Sequence, residues 1–165
     1  MTAAPAKPRT CSIARTLDIV GEKWALLAVR EVFLGDRRFD EMVKRTGAPR
    51  DTLAARLRTL VNAGVLERRP YSEHPARFEY FLTEAGLDLY PVITTLRSWG
   101  DKYLAGDDGP PLSVEHRCGH ELAPRLVCEA CGKPVSPRDT RPVYPERQGL
   151  EPQAFGAAVA DGGRA

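Results

Sequence analysis

The stretch that most constrains this chain is Arg50 to Gly64, RDTLAARLRTLVNAG, taken together with the residues just after it. Leu53, Leu57, Leu60 and Val61 fall at i, i+4, i+7 and i+8, one face of a 3.6-residue period, and leave Thr52, Ala55, Arg56 and Thr59 on or beside the other. That spacing predicts a helix docked by one side and free on the other. Gly64 stands where a left-handed residue closes such a helix. Two strand patterns come next, Val65 to Tyr71 and Phe78 to Leu82; in the second, Phe78, Tyr80 and Leu82 alternate with Glu79 and Phe81. Between them, Tyr71 to Arg77 is expected to be a loop tip, stiffened by Pro70 and Pro75 and carrying Glu73, His74 and Arg77. Upstream, Phe39, Met42 and Val43 make the inward stripe of a short helix, and Gly47-Ala48-Pro49 makes a turn. Helix, turn, helix and hairpin predict a winged helix-turn-helix. It is an α+β, mostly helical class whose free helix face suits the major groove of DNA.

The distribution of charge supports that reading where the total does not. Net charge over 165 residues is only +2, but Asp36 to Arg69 holds nine Lys/Arg against five Asp/Glu, so the basic excess sits on the expected reader. A guanidinium grips a guanine edge or a phosphate with two hydrogen bonds, so Arg50 and Arg56 are the first candidates for DNA contact, with Thr52 and Thr59 behind them. Arg37, Arg38 and Lys44 are expected to position the DNA backbone, and Arg77 to border the minor groove. The plainer alternative for these side chains is a solvated, salt-bridged surface. No apolar run approaches the ~18 residues of a membrane span, and the first residues lack the apolar core of a signal peptide, so a cytoplasmic protein is expected.

Ahead of the reader, Ile13, Leu17 and Val20 predict a short amphipathic helix from Ser12 to Val20, ended by Gly21. Glu22 to Phe33 carries Trp24, Leu26, Leu27, Val29, Val32 and Phe33 around most of its circumference and predicts a central core helix. After Thr83, an expected cap, Leu89, Val92, Ile93, Leu96, Trp99 and Tyr103 repeat at three- and four-residue steps and predict one long helix. Its apolar surface exceeds what so small a domain covers. These six residues are therefore expected to form a homodimer interface, shared with the first helix; the alternative is a last core helix. Two-fold symmetry would set two reading helices one turn of DNA apart on a near-palindromic operator.

Past a Gly/Asp/Pro linker at 106–111, residues 112–144 have chemistry of their own: His116-Arg-Cys118-Gly-His120, then Cys128-Glu-Ala-Cys131-Gly132. Cys-x-x-Cys-Gly resembles one knuckle of a zinc ribbon, and the segment is too short for a core of its own unless a metal supplies the folding free energy. A structural Zn2+ is expected, held by Cys118, Cys128, Cys131 and either His116 or His120. A redox-active Cys128/Cys131 dithiol, as in a thiol-redox protein, and an unligated tail are the alternatives. The composition of 1–10 and 145–165 predicts a disordered arm and tail.

Several blocks together carry a family resemblance: Cys11, Gly21-Glu-Lys-Trp24, Gly35-Asp-Arg-Arg-Phe39, Leu53-Ala-Ala-Arg-Leu-Arg-Thr-Leu60, Gly64-Val-Leu-Glu-Arg-Arg69, Tyr80-Phe-Leu-Thr-Glu-Ala-Gly86 and Leu96-Arg-Ser-Trp99-Gly100. In order and spacing, from Cys11 to Tyr103, the chain resembles the HxlR-type winged helix transcriptional regulators. The resemblance implies a domain over 11–105 that binds double-stranded DNA as a homodimer, represses or activates nearby genes, and has no enzymatic activity. It also implies a candidate redox sensor. In some members a cysteine at the position of Cys11 responds to electrophiles or oxidants, and here Arg9 and Arg15 flank it, which favours the thiolate; the plainer reading is a small half-buried residue. A protein-interaction module on the same fold is the rival to DNA binding. Any small-molecule effector is expected in a crevice between the long helix and the reading domain.

Overall fold

The computed structural model describes residues 11–143, so the expected arm and tail at 1–10 and 145–165 lie outside the described residues. In chain order the elements are α1 (Ser12–Val20), α2 (Lys23–Leu34), α3 (Phe39–Thr46), α4 (Arg50–Asn62), β1 (Leu66–Glu73), β2 (Ala76–Leu82), α5 (Glu84–Leu87) and α6 (Tyr90–Leu104). All of them belong to one compact unit, Thr10–Glu121; a second unit begins at Leu122.

The core forms where α2, α3, α4 and the start of β1 meet. Ala25, Ala28 and Val29 of α2, Met42 of α3, and Leu53, Leu57, Leu60 and Leu66 are all essentially inaccessible to water. The sequence expectation for α2 rested on its large residues, yet two of its most deeply buried positions are alanines. Small side chains lie where neighbouring helices approach most closely, and the larger Trp24, Leu26 and Phe33 pack around them half-buried. Glu31 is also buried on this helix, with its carboxylate held by the adjacent Arg30.

The turn between α3 and α4 is set by backbone chemistry. Gly47 ends α3 at φ +69°, a left-handed conformation that a side chain would strain. The Thr46 hydroxyl donates to the Met42 carbonyl at 2.6 Å and accepts the Ala48 N–H at 3.2 Å, and Pro49 then precedes the first turn of α4.

Two elements differ from expectation. The strands pair antiparallel from Leu66↔Leu82 to Glu73↔Ala76, shifting register between Pro70 and Ser72. The expected seven-residue tip is thus only His74 and Pro75, closed by a hydrogen bond from the Ser72 hydroxyl to the Pro75 carbonyl at 3.0 Å. The ladder resumes beyond Pro70 because a proline costs one donor, not the strand. The sheet also gains a short third segment: the Tyr80 N–H donates to the Arg37 carbonyl at 2.9 Å, and Arg38 bridges Glu79. The single helix expected after Thr83 is two, because Pro91 in the first turn of α6 has no N–H to continue the α5 ladder.

Thr83 ties these parts together. Its hydroxyl accepts the Gly86 N–H at 3.1 Å and donates to the Gly64 carbonyl at 2.6 Å. Gly86 itself passes so close to the start of β1 that a Cβ there would lie 2.2 Å from the Val65 carbonyl oxygen and 3.0 Å from Leu82 Cδ2. Gly86→Ala is therefore expected to cost roughly 1–3 kcal/mol of stability by overpacking. Thermal unfolding would read this as a lowered Tm, and an unchanged Tm would mean that α5 is not anchored at that contact.

Candidate nucleic-acid interface

Because Leu53, Leu57 and Leu60 point into the core, the opposite side of α4 faces water, and that side carries Asp51, Arg58 and Asn62, with Ala55 between them. At about 100° per residue, Arg58 lies about 140–160° around the helix from Leu53 and Leu60, whereas Arg56 lies only about 40–60° from them. The structure accordingly turns Arg56 toward α2, where it pairs with Glu22 at 3.4 Å and its Nε is buried without an acceptor. Arg50, the first residue of α4, is drawn back to α3: it bonds Asp40 at 2.7 Å and stacks on the Phe39 ring at 4.8 Å. Neither of the two arginines expected to lead the contact sits at the centre of the outward face. Asn62 and Ala55 lie nearest that centre, and Arg58 is exposed on the same face beside them, where a helical-wheel count would have found it. Thr52 and Thr59 are half-buried, and the Thr59 hydroxyl is bonded to the Ala55 carbonyl at 3.2 Å.

The hairpin holds its arginines on aromatic rings. Arg37 and Arg69 both stand over Phe81, at 4.6 and 4.3 Å; Arg68 stands over Phe78 at 4.6 Å; Arg38 stands over Tyr71 at 4.5 Å and bonds Glu79 at 2.9 Å. Stacking limits the conformations each side chain samples and leaves its edges able to donate; Arg38 already donates to Glu79, and Arg69 to Glu67. Burial pushes the Tyr80 hydroxyl above its ordinary pKa, and the charges of Arg68 and Arg58 pull against that shift; Arg58, Arg68 and Tyr80 line one small pocket between α4 and β1. Arg68 and Arg69 were not singled out from sequence, since nothing local says which face of an edge strand reaches the reader. Arg77 is exposed beside the wing tip. Together with Arg38 and Lys44 it borders a cleft of about 550 Å³ between α3, α4 and the wing, which Asp40 and Glu41 also line.

Away from this surface, the six apolar residues assigned to an interface divide. Leu89 and Ile93 pack on the core, whereas Val92, Leu96, Trp99 and Tyr103 remain exposed along one side of α6, Leu96 by 55% and Trp99 by 54%. On α1, Ile13 and Leu17 are exposed as well, by 71% and 52%. The crevice between α1 and the start of α6, lined by Ile19, Val65 and Leu89 among others, holds only about 200 Å³. Cys11 lies exposed at the N-terminus of α1.

The C-terminal cysteines sit in two tight turns. In one, within the Thr10–Glu121 unit, His116 Nδ1 lies 3.1 Å from Cys118 Sγ. In the other, within the unit that begins at Leu122, the backbone N–H groups of Ala130 and Cys131 and the Cys131 thiol all bond the Cys128 sulfur and hold its pKa below the usual thiol value. Among the described residues, no three His, Cys, Asp or Glu side chains are gathered around one point that would hold a metal ion.

A core of three helices closed by a helix-turn-helix and a basic two-stranded wing defines a winged helix DNA-binding protein. The family is given by comparison. Residues 19–108 match the HxlR-like helix-turn-helix model, and the chain belongs to that family of transcriptional regulators. The uncharacterized HTH-type transcriptional regulator Rv3095 of Mycobacterium tuberculosis is 48% identical over 132 residues, 79% of this chain and 84% of that protein. The crystal structure of PA1607 superposes with a TM-score of 0.73 at 35% identity, covering 82% of this chain and 96% of that one. The redox regulator HypR in its oxidized form matches at a TM-score of 0.51 and 31% identity, over 56% of this chain and 96% of its own. A match of 132 residues cannot fit within the first 108, so the similarity to Rv3095 continues into the C-terminal segment.

The environment of Cys128 has a measurable consequence. A lowered pKa means a larger thiolate fraction at neutral pH, and the thiolate is the nucleophile. In metal-free protein, iodoacetamide modification of Cys128, followed by peptide mass spectrometry from pH 5 to 10, is expected to reach half its limiting rate at a lower pH than that of a cysteine in an unstructured reference peptide measured alongside. A midpoint at or above that of the reference peptide would show that the amides do not hold the sulfur as described.

Proposed function

We propose that the protein regulates transcription as a homodimer that lays α4 of each copy into the major groove of a near-palindromic operator. It acts by binding rather than catalysis, in the cytoplasm, and among the described residues no helix is long and apolar enough to cross a membrane. The observation that carries this reading is the outward stripe of α4 beside the arginine-bearing wing. Arg58 is the base reader, Arg37, Arg38, Lys44, Arg68 and Arg69 engage phosphates, and Arg77 borders the minor groove. Arg50 stays at the helix N-terminus, positioned for the backbone by Asp40 and Phe39. Dimerisation is supported by the exposed Ile13, Leu17, Val92, Leu96, Trp99 and Tyr103, an apolar surface that a monomer would leave in water.

An operator selected from random duplexes with the full chain supplies the test. Arg58→Ala is expected to weaken specific binding by about 1–3 kcal/mol, roughly 5- to 150-fold, and to relax preference at one base position, whereas Arg56→Ala is expected to change it less than about threefold. The reverse ranking would reject the assignment, and binding without salt dependence or sequence preference would favour a protein-interaction module. Light scattering on a Leu96→Glu/Trp99→Ala variant is expected to report a monomer. A dimer of undiminished stability would move the interface elsewhere.

Two further readings rest on cysteine. Cys11, exposed at the start of a helix assigned to the dimer interface, is proposed as the redox input, a reading favoured by the likeness to HypR; Cys11→Ser is expected to abolish any effect of diamide on DNA affinity. Cys118, Cys128, Cys131 and one of the two nearby histidines are proposed to hold a structural zinc ion, on the strength of their spacing and residue types. That spacing and that donor set, rather than an acid or base beside them, support a structural over a catalytic or redox role.

A further inference from the structure

The outward face of α4 carries an acid as well as an arginine. Asp51, Ala55, Arg58 and Asn62 recur at i, i+4, i+7 and i+11, within about 40° of one line along the helix. Asp51, the second residue of the helix, is exposed and lies about 160–180° around the axis from Leu53 and Leu60. Its neighbour Arg50 is bonded to Asp40 at 2.7 Å, and among the described residues no hydrogen bond or ion pair engages the Asp51 carboxylate. An acid in the first turn favours the helix through its dipole. That effect is indifferent to which face the acid occupies, so the place of Asp51 on the outward line needs another account.

We propose that Asp51 is a specificity-determining residue that selects a cytosine in each half-site, a reading that rests on the DNA-binding function proposed above and names a base it recognises. The N-terminal residues of a recognition helix are the ones that approach base edges, and Asp51 is in the first turn of α4. An ionised carboxylate is an acceptor only. In the major groove the donors are the N4 amino group of cytosine and the N6 amino group of adenine; guanine and thymine offer carbonyl oxygens, and every phosphate is an acceptor too. Adenine sets its N7 acceptor beside N6, against the second carboxylate oxygen, so cytosine is the base that fits. Opposite guanine or thymine, Asp51 gives up water with no hydrogen bond in return, and it repels the phosphates of every duplex alike. Its contribution is therefore to make wrong sequences bind worse. With the helix laid along the groove, the seven positions from Asp51 to Arg58 cover about 10 Å, or roughly three base-pair steps, so the guanine suited to Arg58 stands about that far from the cytosine.

The test selects operators from random duplexes with full-length wild type, Asp51→Ala and Asp51→Asn, and measures affinity for a scrambled duplex and the Tm without DNA alongside. Wild type is expected to return a cytosine at one position of each half-site. Asp51→Ala is expected to lower that preference by about fivefold or more, to keep the guanine preference assigned to Arg58, and to bind the scrambled duplex more tightly than wild type does. Asp51→Asn, which keeps the size of the side chain, is expected to move the preference at that position from cytosine to adenine, because an amide pairs with N6 and N7 together. An acid that serves the helix alone would lower the Tm of the variants and leave every base preference in place, and that result overturns the proposal. Equal loss of preference at all positions, or a cytosine kept by Asp51→Asn, overturns it as well while leaving the DNA-binding function intact. A wild type that selects no sequence would overturn that function and this assignment with it.

Discussion

Burial of one stripe of α4 is the constraint on which the exposed basic surface around it depends. Leu53, Leu57 and Leu60 lose essentially all their contact with water against α2 and α3, at roughly 1.5–3 kcal/mol for each such side chain. Rotating the helix by even a third of a turn would exchange a leucine for Arg56 or Arg58 in the core, and a buried unpaired charge costs more than any surface contact returns. The stripe therefore determines which residues meet solvent, and Arg58 is outward because those leucines are inward. The Gly47 turn and the alanines of α2 serve the same end by letting the three helices approach closely enough for the stripe to be covered.

The second organising element is the pairing of cations with aromatic faces. Phe81, Phe78, Tyr71 and Phe39 each lie beneath one or two guanidiniums. Each contact is modest in water, but together they arrange a basic surface whose donors are already oriented. Carboxylates at Asp40 and Glu79 share that surface and bond Arg50 and Arg38. These exposed pairs contribute little to stability. Their effect is to hold two long side chains in place and to lower the local positive potential.

The C-terminal segment is ordered by other means. Its two turns carry almost no buried apolar surface, and their order comes from backbone hydrogen bonds around glycines in left-handed conformations. Such turns present donor atoms well. The similarity to Rv3095, which continues past residue 108, shows that the segment is shared with a relative rather than peculiar to this chain.

Read alone, the sequence determined the element types, their order and the family, because period, turn chemistry and capping are local properties that neighbours along the chain express directly. It identified the helix at Arg50–Asn62 and the strands around the wing, and it located the Cys/His pairs. What it left open were relations between residues distant in the chain. The pairing of Arg37–Arg38 with β2, the withdrawal of Arg50 onto Asp40 and of Arg56 onto Glu22, and the division of α6 between core-facing Leu89 and Ile93 and exposed Leu96 and Trp99 all depend on which surfaces meet. An arginine's own chemistry fits a reader and a strut alike, and only tertiary packing decides which guanidinium is engaged within the protein and which is left facing solvent.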